Sequence, residues 1–128
     1  TLKPASDLTV VEFLAWCPED GRRWQLVDGE PVAMAPTRNA HGALQAEIGG
    51  LLRDHFRACA MSCRVIIAPG IIPRIRAGSN FRIPDLGVVC GPYPANELDI
   101  REPILLVEVL SPSDARQTRA NVWAYVTI

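Results

Sequence analysis

Apolar residues along this chain change their spacing several times, and each change marks an element. Val10, Phe13 and Leu14 recur at helical intervals, predicting a short helix over about 9–16. Pro4 breaks anything earlier, Ser6 or Asp7 is available as a cap, and Pro18 and Gly21 stop the helix. In WQLVDGEPVAM, residues 24–34, two apolar runs flank Asp28-Gly29, a strong signal for a tight hairpin. Pro31 puts the second strand at an edge, because it cannot donate to a ladder.

From His41 to about Cys59 the period becomes helical. Leu44, Ile48, Leu51, Leu52, Phe56 and Cys59 form one stripe, with Asn39 placed as N-cap. Gly49-Gly50 weakens this helix by about 1 kcal/mol per glycine, which a close packing contact would explain. Short strands are predicted over 63–68 and 71–76 around Pro69-Gly70, and another over 82–90. After a loop over 91–102, residues 103–110 are almost continuously apolar, the pattern of a strand buried on both faces. A last helix starts near 115 and carries Val122, Trp123 and Val126.

This order predicts an α/β (α+β) class: a mixed β-sheet flanked by helices, preceded by a short helix and a β-hairpin. The 128 residues form one domain, and 48% hydrophobic against 21% charged residues is enough to build a core unaided. No signal peptide and no apolar run of about 18 residues is present, so a cytoplasmic protein away from membranes is expected. The net charge of −1 and pI near 6.1 argue against a strongly basic nucleic-acid binder. Arg64, Arg74, Arg76 and Arg82 read as solvated strand-end residues. Cys17, Cys59, Cys63 and Cys90 show no CxxC pair and no matching histidines, which argues against a zinc site; they read as free, buried thiols suited to a reducing compartment.

Two carboxylates stand out against this pattern. Every neighbour of Glu108 in ILLVEVL is apolar, so its charge loses several kcal/mol of hydration unless it is compensated. A pairing arginine or an exposed strand end would provide that compensation. Asp85 likewise interrupts RIPDLGVV, where Pro84 implies an edge, a bulge or a strand start. If the two strands are neighbours, the carboxylates converge and suit a hard divalent cation.

The segments WQLVDGEPV, HGALQAEIGGLL, RIPDLGVV and LLVEVLSPSD resemble the Uma-two family (domain of unknown function 820), restriction-endonuclease-like proteins, from about residue 8 to 128. That family is in turn similar to PD-(D/E)xK nucleases, which implies an αβββαβ core, Mg²⁺ (or Mn²⁺), and DNA as substrate. By this resemblance Asp85 and Glu108 are the metal-binding and catalytic acids, and Glu47 on the first core helix is a third metal-binding candidate. His41 matches a histidine of the family and is a supporting residue.

The lysine of the simple pattern would stand at Leu110; the position four before an aromatic, counted from Tyr125, is Asn121. Arg119 is the nearest cation, and the chain's only lysine is Lys3. Asn121 and Arg119 therefore complete the catalytic candidates. His55 reads as a core histidine, while nothing singles out Gln45 or Gln117. The resemblance also implies a further strand beyond Ile128, and hence a truncated domain and a homodimer. It makes the chain a Mg²⁺-dependent endonuclease. The alternative is a catalytically inactive nuclease fold acting as a dimeric or nucleic-acid-associated interaction module.

Overall fold

The structure is a computed structural model and describes residues 7–16, 20–112 and 115–127. Helix α1 (Val10–Trp16) opens with a capping box, in which the Thr9 amide donates to Glu12 Oε1 (3.1 Å) and the Glu12 amide to Thr9 Oγ1 (3.2 Å). The cap is therefore Thr9 rather than Asp7; Ser6 lies outside the described residues. Strands β1 (Trp24–Val27) and β2 (Glu30–Ala33) form the expected hairpin. Asp28 (φ 49°) and Gly29 (φ 85°) both take the left-handed conformation that a two-residue type I′ turn requires.

Helix α2 (Asn39–Ala58) begins at Asn39, with Arg38 as the extended residue before it and no side-chain cap. Its buried side keeps Ile48, Leu52 and Phe56 of the apolar stripe but is rotated toward Gln45, which is buried, leaving Leu44, Leu51, His55 and Cys59 exposed. Two requirements set that rotation. Gln45 must reach the sheet to donate a hydrogen bond, and the side carrying Gly49 faces Val65 and Leu86, which a Cβ there would touch at 3.9 and 3.8 Å. A Cβ at Gly50 would meet nothing within 4 Å. Gly50→Ala should therefore stabilise the protein by roughly 0.5–1 kcal/mol, read as a higher urea midpoint at unchanged slope; a lower midpoint would contradict this geometry.

Strands β3 (Cys63–Ile67), β4 (Leu86–Cys90) and β5 (Leu105–Val107) form a sheet in that order, with both pairings antiparallel. The α+β class stands, but the ladders are antiparallel, and the one parallel pairing among the described residues is an isolated bridge between Gly70 and Asp99. The strand expected over 71–76 shrinks to an Ile71–Arg82 bridge before a 3₁₀ turn at Ala77–Ser79, since Pro73 cannot donate. Strand β5 keeps three residues at the sheet edge. Ile104, Leu105 and Leu110 are exposed, so it is not buried on both faces.

The β3–β4 register sets Cys63 opposite Cys90, and the two are disulfide-bonded. The free-thiol reading fails for this pair because strand register brings together residues 27 apart in sequence. Cys59 is free but exposed, and Cys17 lies outside the described residues. With the disulfide, the cysteines no longer argue for a reducing compartment. Among the described residues, no helix is long and apolar enough to cross a membrane. Two cores hold the layers together, one around Phe13, Leu26 and Phe81, the other around Ile71, Val89 and Ile100.

Candidate active site

Pairing between β4 and β5 ends at Leu86 opposite Val107, so Asp85 and Glu108 are the next residues outward on neighbouring strands. Pro84 stops the ladder there by removing a donor. The Asp85 carbonyl accepts from the Ala68 amide (3.0 Å) and from Gln45 Nε2 (2.7 Å), which ties this corner to β3 and α2. Its carboxylate is buried: Oδ2 accepts from the Val109 amide (2.5 Å), and Oδ1 lies 3.2 Å from His41 Nε2.

Glu108 Oε1 accepts from the Tyr125 hydroxyl (2.8 Å) and from Asn121 Nδ2 (3.4 Å). Burial pushes the Glu108 carboxyl up to about 7, and the neighbouring Asp85 charge and a carboxyl–carboxyl hydrogen bond act in the same direction, against the Tyr125 and Asn121 hydrogen bonds. Burial, then the Glu108 charge, also raises the Tyr125 hydroxyl, which stays protonated and keeps donating. The two carboxyls thus lie close enough for the Asp85 charge to act on Glu108.

A network of amides supports them. Asn121 is buried; its Nδ2 donates to Gln25 Oε1 (2.9 Å), and its Oδ1 accepts from Arg82 Nη1 (2.9 Å) and Gln117 Nε2 (3.2 Å). Gln25 Oε1 also accepts from the Ile83 amide (2.8 Å), locking the hairpin to the segment before Asp85. Arg82, only 5% exposed, donates through Nε (3.1 Å) and Nη2 (2.8 Å) to Asn80 Oδ1. Burial lowers its pKa, and the Asp28 and Tyr125 sides oppose that shift. The solvated reading of Arg82 is therefore corrected: its guanidinium has five directed donors, and two amide oxygens converge on it inside the fold.

Of the residues singled out from sequence, the structure brings together Asp85, Glu108, His41 and Asn121. Glu47 is exposed, two residues and more than half a helical turn from Gln45, so it points away from the acids. Arg119 is exposed as well. It shares a surface pocket of about 500 Å³ with Glu108, and no hydrogen bond or ion pair to either acid is found among the described residues. The inner cation is Arg82.

Sequence reasoning missed Gln25, Asn80, Arg82 and Tyr125. Gln25, between Trp24 and Leu26, carries the same signal that exposed Glu108, a polar side chain inside an apolar strand. Tyr125 stands four residues after Asn121, hence on one helix face with it. A cleft of about 420 Å³ between the hairpin and α3 (Ala115–Tyr125) opens onto Glu108, Gln117 and Asn121. Among the described residues, no three His, Cys, Asp or Glu side chains are grouped to hold a metal ion.

The class is a small α+β domain with a buried and a half-buried carboxylate side by side at the end of an antiparallel sheet. The family model Uma2, described as "Putative restriction endonuclease", matches residues 10–128, and the chain belongs to that family. A solved structure of "a putative nuclease belonging to DUF820" from Anabaena variabilis ATCC 29413 superposes with a TM-score of 0.69 at 20% identity, covering 90% of this chain and 65% of that one. At that identity the likeness shows the fold, and this chain spans less than two thirds of its neighbour's length. No curated protein matches.

Proposed function

We propose that this chain hydrolyses phosphodiester bonds of DNA with a divalent cation, Mg²⁺ or Mn²⁺, held by Asp85 and Glu108. The observation that carries this reading is the meeting of two carboxylates at the end of β4 and β5, one of them pushed up to about 7. The donor set fits a hard cation in kind, since both groups supply oxygen, and the charge they share is what a divalent ion neutralises. Bound there, such an ion activates water and offsets charge on the scissile phosphate.

The chain's own residues keep that pair in register. The Val109 amide and His41 orient Asp85, while Tyr125 and Asn121 orient Glu108. By the resemblance to its family, Asn121 occupies the helix position where a lysine would stand, and Arg82 backs it, one side chain away from Glu108. A guanidinium stabilises charge but does not accept a proton at neutral pH, so the attacking water loses its proton to solvent or to a carboxylate.

Supercoiled plasmid should be nicked in Mg²⁺ or Mn²⁺ and left intact in EDTA, and Asp85→Asn should abolish nicking. Asn121→Lys should raise the rate by returning a basic group beside Glu108. Plasmid left intact by both the wild type and Asn121→Lys would favour the second reading, a catalytically inactive nuclease fold acting as a dimeric or nucleic-acid-associated interaction module. One observation supports that alternative: Ile104, Leu105 and Leu110 by β5, with Trp123 on α3 and Val126 just past it, form an exposed apolar strip.

A further inference from the structure

A second groove lies away from the acids, between the C-terminal half of α2 and strand β3, with a volume of about 640 Å³. Three arginines line it, Arg53 and Arg57 from the helix and Arg64 from the strand, and no acidic side chain does. Arg53 and Arg57 are one helical turn apart on one face. Gly49 and Gly50 leave the helix side of the groove bare, and Met61, Val65 and Ile67 give it an accessible apolar lining.

A merely solvated charged face would place its cations among acids and over polar surface. Arg53 does touch Asp54 (3.5 Å), a pair exposed on both sides and therefore weak. Among the described residues, Arg57 and Arg64 have no ion-pair partner. The chain's net charge is −1, so this cluster is a local departure from the whole rather than a sample of it.

We propose that this groove holds the phosphodiester backbone of a single nucleic-acid strand running along α2 from the acidic pair, its bases against the apolar lining. This rests on the reading of the chain as acting on DNA, and it names the surface that carries the flanking strand. The helix gives the direction. His41 touches Asp85 at its start, and a rise of ~1.5 Å per residue puts Arg53 and Arg57 roughly 18 and 24 Å further along. Charge complementarity commits the groove to a polyanion. Its accessible apolar lining, chiefly Met61 and Ile67, favours a polyanion that also presents apolar base faces.

The test measures binding of a short fluorescein-labelled single-stranded oligodeoxynucleotide in EDTA by anisotropy, so it does not depend on cleavage. Arg57→Ala/Arg64→Ala is compared with Arg74→Ala/Arg101→Ala, which removes the same charge from other exposed positions. The groove variant should bind roughly tenfold more weakly at low salt, its slope of log affinity against log salt shallower by about 1.4 for two lost phosphate contacts. The control should stay within about twofold of wild type, since a distant exposed charge acts only through a screened field. Equal losses in both variants, no loss in either, or no binding by wild type would each overturn the proposal. So would competition by polyglutamate as strong as by unlabelled oligonucleotide, which would make the partner an acidic peptide. Plasmid nicking that persists while the groove variant binds normally would sink the groove and leave the nuclease reading standing.

Discussion

Arg82→Met should lower the unfolding free energy by roughly 3 kcal/mol, a large fraction of a small domain's stability. Arg82 is almost fully buried and makes three side-chain hydrogen bonds, two to Asn80 Oδ1 and one to Asn121 Oδ1. Charge-assisted bonds contribute about 1.5–3 kcal/mol each, but removing a buried guanidinium also removes its desolvation cost, which offsets part of the loss. The acceptors are not wholly orphaned. Asn80 Oδ1 keeps the Asp28 amide, and Asn121 Oδ1 keeps Gln117. These two corrections bring the sum down to the stated size. Arg82→Lys should recover little, because a single ammonium cannot span Asn80 and Asn121 as the planar fork does. Urea unfolding checks both variants; a loss below about 1 kcal/mol for Arg82→Met, or full recovery by lysine, would show the network to be incidental.

The same network shows what the sequence could and could not convey. Glu108 and Asp85 were legible because a charge inside an apolar strand contradicts its surroundings, and strand alternation fixes which way it points. That logic needed no knowledge of the partner elements. Asn121 was reached only through resemblance, since one amide on an amphipathic helix contradicts nothing. Arg82 was misread because it precedes the strand proper, where arginine is ordinarily wet; its burial depends on Asn80 and Asn121, 2 and 39 residues away, converging on it. The rotation of α2 was hidden for a related reason. An apolar stripe records hydrophobicity, whereas the face used is set by Gln45 reaching Asp85 and by the bare side of Gly49. Cys63 and Cys90 became partners only through the register of β3 on β4, a fact of pairing that no spacing rule encodes.

Glu108→Gln should make the protein more stable than wild type above neutral pH and no different in acid. The carboxyl rises from 4.5 to about 7 on folding, so below about pH 4.5 it is protonated in both states and contributes no difference. As pH increases through that window the unfolded chain loses its proton while the folded one keeps it, and wild-type stability falls. Above about pH 7 both states are ionised and the full cost is in place. At 1.36 kcal/mol per pH unit the rise corresponds to roughly 3 kcal/mol, which solvent screening of a partly wet group reduces to on the order of 2 kcal/mol. Glutamine is isosteric and neutral. It still accepts from Tyr125 and can donate to Asp85, so the variant escapes the cost without losing the contacts. Excess Mn²⁺ at pH 8 should reverse the ranking, because an ion that binds only the folded pair stabilises wild type by linkage and leaves the variant unchanged. Thermal melts across pH, with Mn²⁺ and with EDTA, read both effects. A wild-type-minus-variant difference that stays flat from pH 4 to 8 would refute the half-buried, raised carboxyl. Equal Mn²⁺ stabilisation of the two proteins would place the cation somewhere other than Glu108.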